Sequence, residues 1–182
     1  MKPLKVAFLD RDGTIVREYD DEGWIGRTEP EILENSVEGL KVMSQKGYQL
    51  IIITNQPLIS KGDISWDEYY TFTDNLLREL KEQGIEILDI FCCPHRQRDN
   101  CDCMKPKPGL INQACQKYNI DLEHSFFTGD SACDEGIAEY FNLDYYGINR
   151  DPVYKKGRRV SDLLEVANLV PEINDEKIYT KK

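Results

Sequence analysis

The sequence has little that would place the protein in or on a membrane. Of its 182 residues, the apolar stretch nearest the N-terminus covers only residues 6–9. That is far shorter than the roughly 20 residues of a membrane-spanning helix, and it is also too short for a signal peptide. Low-complexity linkers and internal repeats are absent as well. We therefore expect a cytoplasmic protein with no membrane partner.

Positive charge is also scarce, because 23 Lys and Arg face 33 Asp and Glu and give a net charge of -10. Such a chain repels a polyanionic backbone, so we expect no nucleic acid partner. The single dense basic run, residues 155–159, is predicted to be a solvated loop before the last helix. Contact of this run with a second anionic group on a substrate is the alternative.

The bulk composition fits one globular domain spanning residues 1–182, since 40% of the residues are apolar and 31% are charged. We expect a monomer, with a polar and frayed tail over residues 174–182. The six cysteines of a cytosolic chain are better interpreted as metal ligands or buried thiols than as disulfides.

Short apolar runs alternate with helical patterns along most of the chain. Ser65 and Glu68 have the spacing of a capping box at the start of one helix, which Gly84 ends, and Gly47 ends the helix before it. The alternation predicts an α/β fold with a Rossmann-like, doubly wound parallel sheet and helices on both faces. Strands are predicted over 5–9, 49–53, 87–91, 125–128 and 145–148, and helices over 36–46, 66–83, 110–118 and 134–141.

The first predicted strand delivers two carboxylates to a glycine turn, in the order Asp10, Arg11, Asp12, Gly13. Two such carboxylates favour a hard divalent cation such as Mg²⁺, shared with a substrate phosphate. Asp10 could then attack phosphorus, while Asp12 protonates the leaving oxygen and later deprotonates water. Alone, the string is more typical of an ordinary turn.

Three further elements are predicted at the carboxyl ends of strands or directly before a helix. Thr54 and Asn55 could donate to phosphate oxygens, and one of Lys105 and Lys107 could neutralise a phosphoryl group. Asp130 could supply a second metal carboxylate, with Asp134 as a partner that orients it. In parallel sheets, ligands bind at this edge. The sequence leaves open whether Arg11 or Lys107 faces substrate.

These elements occur together and in order, and from residue 5 to about residue 150 the chain resembles the haloacid dehalogenase superfamily of phosphohydrolases. The resemblance implies Asp10 as nucleophile and Asp12 as general acid and base. It implies Thr54 and Lys105 as phosphate ligands. It also implies that Asp10, Asp130 and the backbone carbonyl of Asp12 hold Mg²⁺.

A second signal lies in the loop over about residues 92–109. Cys93, His95, Cys101 and Cys103 fall within eleven residues, a composition that suits a closed, structural Zn²⁺ site. Such a long polar loop has no apolar core, so the metal would serve as its core and would fix Lys105. Cys92 is the competing ligand, and Cys115 and Cys133 are predicted to be buried thiols.

With the predicted zinc loop directly before Lys105, the chain resembles one branch of the superfamily, whose members lack a separate cap domain. That branch contains the heptose 1,7-bisphosphate phosphatases and the histidinol-phosphate phosphatases. The resemblance implies a phosphatase of small phosphorylated metabolites. The Pro108-Gly109 ending favours the heptose group, whereas the spacer between His95 and Cys101 is nearer the histidinol group. Both groups usually carry basic residues where this chain has Met104 and Ser131.

Two other functions are weighed against this one. A zinc-stapled binding module with an inactive site would bind metal without hydrolysing any ester, but every predicted catalytic carboxylate is present. A nucleic acid 3′-phosphatase would use the same chemistry, but the acidic surface disfavours it.

Overall fold

The computed structural model describes residues 2–173, and the predicted frayed tail lies outside them. A six-stranded parallel sheet in the order β3-β2-β1-β4-β5-β6 forms its centre. This confirms the predicted Rossmann-like parallel sheet. The strands are β1 (Val6–Leu9), β2 (Gln49–Asn55), β3 (Asp89–Cys93), β4 (Phe126–Gly129), β5 (Asp144–Ile148) and β6 (Gly157–Val160).

Seven α-helices accompany the sheet within residues 2–173. Their apolar faces cover both sides of it, as expected for parallel strands. They are α1 (Asp21–Trp24), α2 (Ser36–Gln45), α3 (Pro57–Lys61), α4 (Trp66–Glu82), α5 (Gly109–Lys117), α6 (Ala132–Tyr140) and α7 (Leu163–Leu169). None of the helices in this part of the chain has both the length and the apolar character needed to cross a bilayer.

Alternation along the buried strands divides the core into two layers. Ala7 and Leu9 of β1 pack in the layer that includes α2, α4 and α7, whereas Val6 and Phe8 pack in the layer that includes α5 and α6. Successive side chains of a strand point to opposite faces, so an uninterrupted apolar strand supplies both layers at once.

The capping box predicted for α4 is confirmed. Ser65 Oγ accepts a hydrogen bond from the Glu68 backbone N–H at 3.1 Å, and Glu68 Oε2 accepts one from the Ser65 backbone N–H at 2.7 Å. Two backbone donors that lack partners inside the helix are thereby satisfied. The sequence pattern did not predict the short helix α3, which precedes α4 along the chain.

Two other predictions need correction. The third strand begins at Asp89 rather than at residue 87, because Asp89 to Cys93 pair with Ile51 to Asn55 of β2. The basic run is not wholly a loop, because Gly157–Val160 forms edge strand β6 beside β5. Exposed arginines at this edge are compatible with a strand, since charged side chains discourage further strand pairing.

Candidate active site

The candidate catalytic residues converge at the carboxyl edge of the sheet. Asp10 directly follows β1, Thr54 and Asn55 end β2, and Asp130 directly follows β4. These strands are neighbours in the sheet, so residues more than a hundred positions apart meet at one edge. The fold therefore brings together the residues on which the sequence analysis depends.

Asp134 is an integral part of the carboxylate cluster. One oxygen from each of Asp10, Asp130 and Asp134 lies within 4.8 Å of the others. Ser131 fixes the Asp134 carboxylate, because Ser131 Oγ and the Ser131 backbone N–H both donate to Asp134 Oδ2, at 2.7 and 3.0 Å. Asp134 was predicted only to orient Asp130, but here it belongs to the cluster itself.

Crowding and burial oppose ionisation of this cluster. Burial and the nearby Asp134 carboxylate raise the pKa of Asp10 well above its usual value. The same two causes raise the pKa of Asp130 to about 6. A cation bound next to carboxylates this close together would favour their ionised form.

Lys105 provides a positive charge at the centre of the cluster. Its Nζ donates to Asp10 Oδ1 at 2.6 Å and to Asp134 Oδ1 at 2.7 Å, and its side chain is only 3% exposed. A third hydrogen bond reaches the Ile53 carbonyl oxygen at 2.8 Å. Burial would lower the pKa of Lys105, but the two carboxylates outweigh that effect and raise it.

Asn55 clamps the backbone of Lys105 with both ends of its amide. Its Oδ1 accepts from the Lys105 backbone N–H at 3.0 Å, and its Nδ2 donates to the Lys105 carbonyl oxygen at 3.2 Å. The structure thus gives Asn55 a positioning role. Thr54 Oγ1 accepts a hydrogen bond from Gln56 Nε2 at 3.0 Å. Direct contacts of Thr54 and Asn55 with phosphate stay predictions.

Asp12 is held by two side chains that the sequence analysis did not assign. Arg11 Nε donates to Asp12 Oδ1 at 2.6 Å, and Arg11 Nη2 donates to Asp12 Oδ2 at 3.0 Å. Gln56 Nε2 donates to the same Oδ2 at 2.6 Å. Arg11 therefore faces neither substrate nor solvent, because it is 2% exposed and directed into the protein.

Gly13 is required at the turn between the two predicted catalytic positions and Thr14. Its φ is +77°, a value that side-chain-bearing residues rarely adopt. A Cβ at this position would overlap the Asp130 carboxylate. The glycine therefore allows the β1 turn and the β4 end to approach closely.

Met104 and Ser131 stand where basic residues were expected from the resemblance, and the structure gives each a local role. Met104 packs against the apolar layer beneath α5 and α6. Ser131 is the N-cap of α6, and its side chain accepts from the Asp134 backbone N–H at 3.3 Å. These positions thus serve packing and helix capping.

The residues of the carboxylate cluster fit Mg²⁺. Hard divalent cations prefer oxygen ligands, and Asp10, Asp130 and Asp134 offer three carboxylates within one small volume. Burial and, after it, repulsion from the Asp134 carboxylate raise the pKa values of Asp10 and Asp130. A cation would relieve that repulsion.

The four residues predicted for Zn²⁺ also form a cluster, with one ligand atom each within 4.8 Å of the others. His95 Nδ1 lies 3.6 Å from Cys93 Sγ and 3.2 Å from Cys103 Sγ, and Cys93 Sγ lies 3.6 Å from Cys101 Sγ. Zn–S bonds of about 2.3 Å at tetrahedral angles would separate the sulfurs by about 3.8 Å. The donor set and its spacing suit zinc.

Cys92 does not join the Cys/His cluster. Successive residues of a strand point to opposite faces, so Cys92 is directed away from Cys93, toward Tyr69 and Arg11. Burial raises the pKa of the Cys92 thiol to about 11. Cys115 and Cys133, predicted to be buried, are partly buried helix residues outside the cluster.

Comparisons with known proteins give a family and several named relatives for this chain. The family model described as polynucleotide kinase 3 phosphatase matches residues 5–161. The chain is 40% identical over 174 residues to D-glycero-alpha-D-manno-heptose-1,7-bisphosphate 7-phosphatase of Photorhabdus laumondii, covering 91% of each chain.

The chain belongs to the polynucleotide kinase 3 phosphatase family, within the haloacid dehalogenase superfamily. A relative from Pasteurella multocida, D-glycero-beta-D-manno-heptose-1,7-bisphosphate 7-phosphatase, is 35% identical over 71% of this chain and 73% of its own length.

The fold of this chain is also similar to those of solved structures. One is D,D-heptose 1.7-bisphosphate phosphatase from B. bronchiseptica, complexed with magnesium and phosphate. It has a TM-score of 0.83 and 25% identity, and the match covers 91% of this chain and 97% of that one. The resemblance stated from the sequence is thereby confirmed, and the chain is a phosphatase.

Proposed function

We propose that this phosphatase removes the 7-phosphate of a D-glycero-D-manno-heptose 1,7-bisphosphate through an aspartyl-phosphate on Asp10. The observation that carries the chemistry is the Asp10, Lys105, Asp134 network, which holds a nucleophilic carboxylate next to a buried cation. The names of the relatives support the substrate.

The first step is phosphoryl transfer to Asp10. Lys105 holds Oδ1 of Asp10, so we expect the other oxygen, Oδ2, to attack phosphorus. The Asp10 O–P bond forms, the bond between phosphorus and the sugar oxygen breaks, and the sugar oxygen takes a proton from Asp12. Lys105 offsets the negative charge that surrounds the transferring group.

The second step releases phosphate. Water attacks phosphorus, Asp12 takes the proton of that water, and the Asp10 O–P bond breaks. Asp12 is then protonated again for the next cycle, so one residue serves first as acid and then as base. Its side chain is 15% exposed, which leaves it accessible to both the leaving oxygen and water.

Mg²⁺ would be held by Asp10, Asp130 and the Asp12 backbone carbonyl, with Asp134 beside them, and when bound it would offset phosphate charge. Zn²⁺ would be held by Cys93, His95, Cys101 and Cys103 as a structural ion. Lys107 supports this loop, because its Nζ donates to the Cys101 carbonyl oxygen at 2.6 Å. We further propose a single domain acting as a cytoplasmic monomer.

The test is phosphate release by the Mg²⁺-loaded protein across a substrate panel. The panel contains both anomers of heptose 1,7-bisphosphate, histidinol phosphate, hexose phosphates and a 3′-phosphorylated oligonucleotide. We expect the highest kcat/KM on a heptose bisphosphate, with loss of the 7-phosphate. One relative is named for the alpha anomer and another for the beta anomer, so the panel also measures which anomer this protein prefers.

The remaining outcomes of the panel separate the alternatives. Preference for histidinol phosphate would overturn the substrate and keep the mechanism. Preference for the oligonucleotide would favour nucleic acid repair chemistry, despite the net charge of -10. Zinc binding without any hydrolysis would favour the binding module.

A further inference from the structure

Arg11 is a buried cation that follows Asp10 in the sequence. Its side chain is paired with Asp12 and not with Asp10, Asp130 or Asp134. It is 2% exposed, and Asp12 is its ion-pair partner. Its guanidinium carbon lies over the rings of Phe72, Tyr69 and Trp24, at 4.8, 5.7 and 5.3 Å from their centroids. These three rings form an aromatic box around the guanidinium.

The aromatic box fixes the guanidinium without satisfying all of its donors. Arg11 Nη1 is buried and has no hydrogen-bond partner among the described residues. Burying a cation costs several kcal/mol, and apolar side chains of similar size often serve stability as well or better. Stability alone therefore gives little reason for an arginine here.

The forked contact with Asp12 supplies such a reason. A carboxylate has about four acceptor positions, two on each oxygen. Arg11 fills one on each oxygen, and Gln56 fills the second on Oδ2. The remaining position is on Oδ1. A carboxylate held in this way presents one defined oxygen.

We propose that Arg11, locked by the aromatic box of Trp24, Tyr69 and Phe72, is a positioning residue that directs Asp12 Oδ1 toward the leaving oxygen. This inference rests on the proposed role of Asp12 as proton donor. Arg11 itself touches neither substrate nor phosphate. It acts through Asp12 because the fork fixes both the plane and the direction of that carboxylate.

The experiment compares two substrates that differ in their need for a proton donor. A sugar phosphate expels an alkoxide-like oxygen that must be protonated, whereas p-nitrophenyl phosphate expels a stable phenolate. The value of kcat/KM reports only steps up to transfer of phosphate to Asp10, so it isolates the leaving-group step. The variants are Arg11→Met, which removes the fork, and Arg11→Lys, which keeps only the charge.

We expect Arg11→Met to lower kcat/KM for the sugar phosphate by about 10²-fold or more, and for p-nitrophenyl phosphate by less than about tenfold. Arg11→Lys should fall between Arg11→Met and the parent protein. Adding Arg11→Met to Asp12→Asn should cost almost nothing further, because Arg11 then has no carboxylate to direct.

Arg27→Met is the matched control. Arg11 and Arg27 line one small cavity of about 10 Å³. The guanidinium carbon of Arg27 lies 3.7 Å from the centroid of the Tyr19 ring, and its Nε donates to the Gly23 carbonyl oxygen rather than to Asp12. Its loss should affect both substrates equally. Equal losses on both substrates in Arg11→Met, or additive losses with Asp12→Asn, would overturn the proposal.

Folding and the proposed function are checked separately. Thermal unfolding identifies a variant that fails to fold, and in that case Arg11→Lys still decides the comparison between the two substrates. If the parent protein hydrolyses neither substrate, the proposed function itself fails, and this inference fails with it.

Discussion

The carboxylate cluster around Asp10 and the Cys/His cluster around Cys93 differ in how far apart their members lie along the chain. The first draws on positions 10, 130 and 134, which the strand order brings together, and Lys105 bridges two of them. The second draws on positions 93 to 103, a single loop and the end of β3. One cluster depends on the pairing of β1 with β4, which are far apart along the chain, whereas the other depends on a single local segment.

The chemistry of the two clusters differs in the same direction. The carboxylates repel one another, so the folded sheet must hold them together, and Lys105 offsets part of the repulsion. The thiols and imidazole belong to a loop with little apolar content, which a metal could organise. We expect the fold to build the carboxylate site, and a bound metal to build the loop that carries the Cys/His cluster.

Asp10→Asn gives the largest expected effect and tests whether the fold builds the carboxylate site. Removing the nucleophile should lower kcat by about 10⁴-fold or more, with a thermal midpoint close to that of the parent protein. Asp144→Asn, an exposed change at the start of β5, is the control and should keep full activity. Substantial activity in Asp10→Asn would contradict the assignment.

Lys105→Met should have the next largest effect, about 10²-fold to 10³-fold on kcat, because a preorganised cation is lost. It should also lower the free energy of unfolding by about 3 kcal/mol, since Asp10 and Asp134 lose their buried partner. Lys107→Met is the control, because Lys107 is exposed and bonds to Asn100 and Cys101 instead. Kinetics and denaturant unfolding measure both quantities. Equal losses in the two variants would be evidence against a special role for Lys105.

Cys103→Ser tests whether the metal builds the loop. Bound zinc should fall from one per chain to nearly none, and the thermal midpoint should drop by several degrees. Activity should fall less than in Lys105→Met, because the Asn55 clamp still holds the Lys105 backbone. Cys115→Ser, outside the cluster, is the control for metal analysis and calorimetry. Retention of stoichiometric zinc in Cys103→Ser would rule out this ligand set.

The pH dependence of Mg²⁺ affinity should be the smallest effect. The pKa of Asp130 is raised to about 6, so the carboxylate gains a proton as the pH falls through that value. Apparent Mg²⁺ affinity should then weaken by about tenfold per pH unit below about 6. Titrations at pH 5 to 7 and constant ionic strength measure it. A flat profile would show that Asp130 does not limit binding.

The stability of the metal-free protein should change with pH in the opposite direction. The folded pKa of Asp130 lies above the ordinary value of 3.8, so its contribution to stability is complete below about pH 4. That contribution is lost as the pH rises through about 6. The same shift therefore favours the metal-free fold in acid and the Mg²⁺-bound form near neutral pH.

Local patterns were sufficient to predict much of this molecule. Short continuous apolar runs identified the buried strands, the Ser65 and Glu68 spacing identified the start of α4, and the spacing of four ligands identified the Cys/His cluster. Each signal depends on residues close together in the chain. Edge strand β6 was not predicted, because its exposed arginines give no apolar pattern.

Only the tertiary structure decided how distant residues share the active site. The amino-acid sequence determined the strands, the carboxylates at their ends and the loop of metal-binding residues, because spacing along the chain encodes each of them. The strand order and register decided that Lys105 bridges Asp10 and Asp134, that Asn55 clamps Lys105, and that Arg11 is directed into an aromatic box. The contacts of Lys105 with Asp10, Asn55 and Asp134 join residues 95, 50 and 29 positions apart, so they depend on the packing of separate elements, which no local spacing encodes.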